Sequence, residues 1–167
     1  MKKLLATISV IALMTMVHQV HAQYNFAVGV RSGGTSGLTL KAITSPTTAV
    51  EGIIGFWNDG LSFTGIFEKH PQAFDVEGLH WMLGVGAHVA LYEDNFRGKT
   101  GPAWYDDHPE IVDGDLGLGV DAKAGIEYKF PVIPLAVSVG FKPFLEFTTE
   151  GEVWLSADPG VGLKLAF

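Results

Sequence analysis

The chain contains no cysteine. An exported protein of this composition must hold its fold by backbone pairing and packing rather than disulfides, and it offers no lipobox cysteine for lipid attachment. A membrane-spanning helix is missing too: the strongly apolar run, Leu4 to Val17, has about 14 residues, short of the roughly 20 a helix needs to cross a bilayer. Positive charge is scarce, with 11 Lys and Arg against 18 Asp and Glu, and two of the eleven are Lys2 and Lys3. Without those two, nine basic residues face 18 acidic ones, which argues against a nucleic-acid partner or a basic patch for anionic lipid.

What is present begins with an export signal. Lys2 and Lys3, the apolar core from Leu4 to Val17, and Val20 and Ala22 stand in the order of a cleavable secretory leader. The expected organisation is a signal peptide over residues 1–22 and one domain over residues 23–167, a mature chain of 167 − 22 = 145 residues. The leader implies export through the general secretory pathway.

After Gln23 the hydrophobic pattern has period two, which places side chains alternately on two faces of a strand. Tyr24, Phe26, Val28 and Val30 oppose Asn25, Ala27, Gly29 and Arg31; Leu38, Leu40 and Ala42 oppose Thr39 and Lys41; Val50, Ile54 and Phe56 oppose Glu51 and Gly55. Asn58, Asp59 and Gly60 mark a tight hairpin, after which Leu61, Phe63, Gly65 and Phe67 oppose Ser62, Thr64 and Glu68. Leu79 to Tyr92 and Leu116 to Lys129 are the longest alternating runs. A seventh is expected over about Pro134–Phe147 and an eighth over Gly160–Phe167. Proline cannot donate to a sheet ladder. Six of the eight prolines fall in connections or at a strand start, Pro159 fits a last strand beginning at Gly160, and Pro143 predicts a bulge or an early end of the seventh strand.

The predicted fold is all-β, an eight-stranded antiparallel up-and-down barrel. A soluble barrel would point its apolar face inward. Here the less apolar face is rich in glycine and carries Arg31, Lys41, Glu51, Glu68, Asp121, Lys123, Glu127, Lys129, Lys142 and Lys164. Small residues and compensating charges suit a narrow lumen, while large aliphatic residues suit lipid. A transmembrane barrel in the outer membrane is therefore expected, in contact with outer-membrane lipids. Its interior network comprises Arg31, Lys41, Glu51, Asp121, Lys123, Glu127 and Lys164. Lys41, Lys123 and Lys164 are expected near mid-height, with Asp121 and Glu51 as their nearest counter-charges. With the amino terminus in the periplasm, the long connection Glu93–Asp115 faces outward and the turns at Thr44–Thr48 and Phe130–Pro134 face inward. The Lys69–Glu77 turn is longer than that side favours.

The terminal pattern Val161, Leu163, Leu165, Phe167 resembles the carboxy-terminal signal of outer-membrane barrels, which implies recognition by the barrel-assembly machinery through Phe167. EKHPQAFDVEGLHWMLGVGAHV (Glu68–Val89) and GIEYKFPVIPLAVSVGFKP (Gly125–Pro143) are similar to stretches of small outer-membrane barrels common in Bacteroidota, with an OmpA/OmpX-like architecture. The resemblance implies fold and location and brings no catalytic residues.

Three candidate chemistries stand beside a structural role. His80 and His88 raise a lipid-A esterase or acyltransferase, but residues eight apart on a strand are roughly 26 Å apart and cannot act together. Asp106, Asp107, His108, Glu110, Asp113 and Asp115 gather oxygen ligands in the long connection without matching a defined calcium or magnesium loop. Trp104 and Tyr105, with Asp106, Asp107 and His108, are a candidate site for an extracellular partner, whose identity the sequence leaves open. Small-solute passage is a further alternative. No catalytic, metal or cofactor residues are assigned.

Overall fold

The computed structural model describes residues 25–57, 60–92, 116–149, 151 and 153–167. They form eight strands: β1 (Phe26–Gly33), β2 (Ser36–Ser45), β3 (Thr48–Trp57), β4 (Gly60–Lys69), β5 (Leu79–Tyr92), β6 (Leu116–Lys129), β7 (Leu135–Thr148) and β8 (Val153–Ala166). Each pairs antiparallel with its neighbours in sequence, and β1 pairs with β8, so the sheet closes as a barrel in meander order. Closure is completed at the carboxy terminus. The Phe167 carbonyl accepts from the amides of Asn25 and Phe26, and the Phe167 amide donates to Phe26 O at 2.7 Å.

Asn25, where the described residues begin, Phe167 and the turns after β2, β4 and β6 lie at one rim, here the terminal end. The ends of β1, β3, β5 and β7 lie at the other, the loop end. A rung followed from Val30 passes Leu38, Ile54, Phe63, Val89, Leu118 and Phe147 and arrives on β8 at Val153. Val30 itself lies beside Leu163 on β8, so the sheet returns staggered by ten residues (163 − 153). With eight strands, such a stagger goes with strands tilted by roughly 35–45° and an interior just wide enough for side chains.

The alternation of the sequence survives in three dimensions. Val30, Leu38, Phe63, Leu118, Phe147 and Val153 are all about half exposed on the outer wall, and Val85 is 66% exposed. The opposite parity is buried and polar: Thr39, Lys41, Glu51, Glu68, His88, Asp121, Glu127, Glu146, Asp158 and Lys164. Interior glycines make room for these groups. A Cβ on Gly119 would strike the His88 ring, and one on Gly117 would lie 2.6 Å from the Glu146 carboxylate.

Two expectations about proline need correction. β8 begins at Val153, not Gly160, so Pro159 lies within the strand opposite Phe141. The Pro159 carbonyl accepts from Gly34 N at 2.9 Å, which turns that residue's nitrogen toward the end of β1, where no ladder donor is called for. Pro143 causes neither a bulge nor an early end. The β7–β8 register runs through it unbroken, while the β6–β7 ladder omits Ala122 and Lys123 and resumes at Ala124–Phe141 in the same register. Both corrections have one cause: a proline whose nitrogen faces a gap in pairing costs the strand little.

The connection from His70 to Gly78 is long because it folds back on the rim. Ala73 N donates to Leu79 O and Trp81 N to Pro71 O, Phe74 packs on Trp81 with ring centroids 5.0 Å apart, and His70 is tucked inside. Phe74 and Asp75 take left-handed backbone conformations at φ 52° and 55° to make this turn.

Deleting Phe167 removes the three terminal backbone bonds, each worth about 1 kcal/mol. The folded fraction, read from heat-modifiable electrophoretic migration, should fall; an unchanged fraction would show that the seam closes without them.

Candidate functional site

The charged residues predicted for the lumen do not form one cluster. They divide into a closed ring toward the terminal end and an open chain toward the loop end, and each draws in residues that the sequence had not singled out.

Three lysines and three glutamates make the ring. Lys41 on β2 pairs with Glu68 on β4 and, at 3.2 Å, with Glu127 on β6. Lys164 on β8 continues from Glu127 at 2.7 Å to Glu51 on β3 at 2.9 Å. Lys123 on β6 pairs with Glu51 and returns to Glu68 at 3.1 Å. Every ammonium therefore has two carboxylates and every carboxylate two ammoniums. Thr39 donates to Glu51 Oε1 at 2.8 Å. His70 Nε2 lies 3.1 Å from Glu127 Oε1, and the His70 ring stacks on His80 at 4.5 Å, closing the terminal side.

The open chain starts at Arg31 on β1, which pairs with Asp158 on β8 at 3.0 Å. Lys142 on β7 lies 3.8 Å from Asp158 and 2.7 Å from Asp121 on β6. His88 on β5 follows, with Nδ1 2.8 Å from Asp121 and Nε2 2.8 Å from Glu146 on β7. Tyr92 joins the chain by donating to Glu146 at 2.5 Å. Edge contacts from Phe144 to His88 and from Trp154 to Phe144 support the imidazole, and Lys142 Nζ sits 5.0 Å from the Phe144 ring centre.

Between ring and chain lies a cavity of about 40 Å³ bordered by Arg31, Glu51, Lys123, Lys142, Asp158 and Lys164. At roughly 10–15 Å³ per water in such cavities, it has space for a few water molecules.

Glu51 takes the place expected of it beside Lys123 and Lys164. Asp121 does not: its oxygens go to Lys142 and His88, and Glu68 and Glu127 complete the lysine ring. The reason is height. Asp121 and Lys123 share β6 and one face, but two residues of a strand separate them by about 6–7 Å, and the stagger sets which strand supplies each level. Glu68, His88, Tyr92, Lys142, Glu146 and Asp158 also belong to the networks. Alternation places Glu68, His88, Tyr92 and Lys142 on the less apolar face, whereas neither Glu146 nor Asp158 was singled out from the sequence, and Asp158 precedes the expected last strand at Gly160. His80 and His88 are far apart in function as well as in chain: one stacks at the rim, and the other has both ring nitrogens against carboxylates, leaving none to take a proton from a nucleophile. Trp104, Tyr105, Asp106, Asp107 and His108 lie outside the described residues.

No family model, curated protein or solved structure matches this chain. The barrel and its two networks carry the functional reading by themselves.

Replacing Glu127 by Gln should strand positive charge in the ring and destabilise the barrel by about 3–5 kcal/mol, the usual cost of breaking one side of a buried pair. Removing Lys164 as well, as Lys164→Met, leaves the neutral run Lys41–Glu68–Lys123–Glu51. The double variant should be more stable than Glu127→Gln alone in denaturant titrations of the micelle-bound protein. A double variant as unstable as the sum of the two would overturn the ring as a coupled unit.

Proposed function

We propose that this protein is an integral outer-membrane barrel with a structural or surface-interaction role, exported by its leader, inserted by the barrel-assembly machinery, and akin to the small barrels of Bacteroidota. The observation that carries this reading is the inverted distribution of side chains. Leu, Val and Phe cover the outer wall, and fixed charges fill the centre. In water, each exposed aliphatic side chain would forgo about 1.5–3 kcal/mol of burial free energy, whereas a bilayer takes up such a wall directly.

The interior favours a structural role over passage of solutes, since two salt-bridged layers stand across the lumen. An enzyme reading finds no support at His88, whose nitrogens are both engaged.

A protease site placed between Lys99 and Gly101 should be cut on intact cells, and one beside Pro46 should be protected; the reverse pattern would invert the orientation, and recovery of the protein in the soluble fraction would overturn the membrane reading. In planar bilayers the purified protein should give no large, long-lived conductance. Porin-like steps from the parent chain would replace the structural role with a channel.

A further inference from the structure

The barrel closes over only part of β8. β1 has eight residues and β8 fourteen, and their ladder runs from Ala27–Ala166 to Gly33–Gly160. Beyond Gly160, Val153–Pro159 continues past the end of β1 for roughly 20 Å, paired on its other side with β7 from Phe141 to Phe147. The backbone directions in this overhang follow from its two ends. Ala166 N donates toward β7, to Pro134 O, while Phe167 N donates to Phe26 O on the β1 side, and Pro159 O accepts from Gly34 N on that same side. Odd-numbered residues of β8 therefore face β1. In the overhang, the amides and carbonyls of Val153, Leu155 and Ala157 face a strand that is not there. Among the described residues, none pairs with them.

This edge is open to approach. Val153 is 58% exposed and Leu155 74%. The turn beneath it is built of Gly33, Gly34, Thr35 and Ser36 and caps the β1 line through Gly34 N to Pro159 O and Thr35 N to Asp158 Oδ1 at 2.9 Å. The row of free groups is extended, regularly spaced and flanked by outward apolar side chains, and unpaired edges of this kind are templates for another strand.

We propose that the overhanging edge of β8 binds an extended segment of another polypeptide as an added strand. The segment runs antiparallel to β8 on the line β1 would have followed. Its outward side chains, beside Val153 and Leu155, are apolar; its inward ones, beside buried Trp154 and the Arg31–Asp158 pair, are small or hydroxylic. A second copy of the chain does not fit. Two copies upright in one membrane both run β8 toward the terminal end, and a two-fold axis along the membrane normal crosses those strands at roughly 70–90°, twice the tilt, which no ladder tolerates. The proposal rests on the surface-interaction reading and supplies its partner's chemistry.

The test uses the purified barrel in micelles, so its outcome is separate from the membrane-location experiments. The probe is a nine-residue peptide of alternating valine and threonine, flanked by lysines for solubility. Amides of Val153, Leu155 and Ala157 should exchange with solvent as fast as exposed ones, those of Trp154 and Ser156 should be protected, and the peptide should slow the first set at least about ten-fold. Leu155→Pro removes one edge donor and directs its ring into open space, and should weaken binding about ten-fold or more; Leu155→Ala should weaken it less than about three-fold. If Leu155→Pro fails to fold, the same peptide methylated on alternate backbone nitrogens provides the comparison and should not bind. Protection of the three amides without peptide, absence of saturable binding, or equal binding by the proline variant or the methylated peptide would overturn the proposal.

Discussion

Charge neutralisation inside a narrow tube is the constraint on which the rest of this structure depends. A lone ammonium or carboxylate removed from water costs several kcal/mol, and one partner seldom offsets it. The ring of Lys41, Glu68, Lys123, Glu51, Lys164 and Glu127 gives each charge two opposite neighbours. That arrangement exists only if five strands present their residues at one level, which restricts the stagger of the barrel more tightly than the outer wall does. Aliphatic side chains facing out are interchangeable; the six ring members are not.

The inner charges and the outer wall are consequences of the same alternation. A slip of one residue in any strand would send a lysine or glutamate outward and a valine or leucine inward. Glycine at 119 and 117 belongs to this economy of space, since the narrow interior holds an imidazole and a carboxylate only where the facing positions have no side chain. The loop-end chain through Asp121, His88 and Glu146 packs against aromatic rings, so the polar filling is held from two directions.

Much of this was legible in the residues. Period-two alternation marked the strands and the face each residue occupies, and the short Asn58–Gly60 segment and the Pro46 turn delimited hairpins now seen as Trp57–Gly60 and Ser45–Thr48 pairs. Partners were harder to read. Parity tells which side a residue faces but not its height, because height depends on the stagger that accumulates around all eight strands. Asp121 was therefore matched with the wrong lysines. The early portion of β8 was missed for a different reason: Pro159 reads as a boundary in one dimension, and only a neighbouring strand that has already ended makes it acceptable inside a strand. Asp158 was lost with that portion.

The ring also bears on the time course of folding. Its contacts join β2 to β4 and β6, β3 to β6 and β8, and β6 to β4 and β8, with no bond between sheet neighbours along the circuit. A half-wound sheet contains almost none of them. Interactions absent from the folding transition state leave the folding rate nearly untouched and act on the reverse step. The ion ring thus serves persistence more than formation: a barrel that closes no faster for having it, and that, once closed, opens far more slowly.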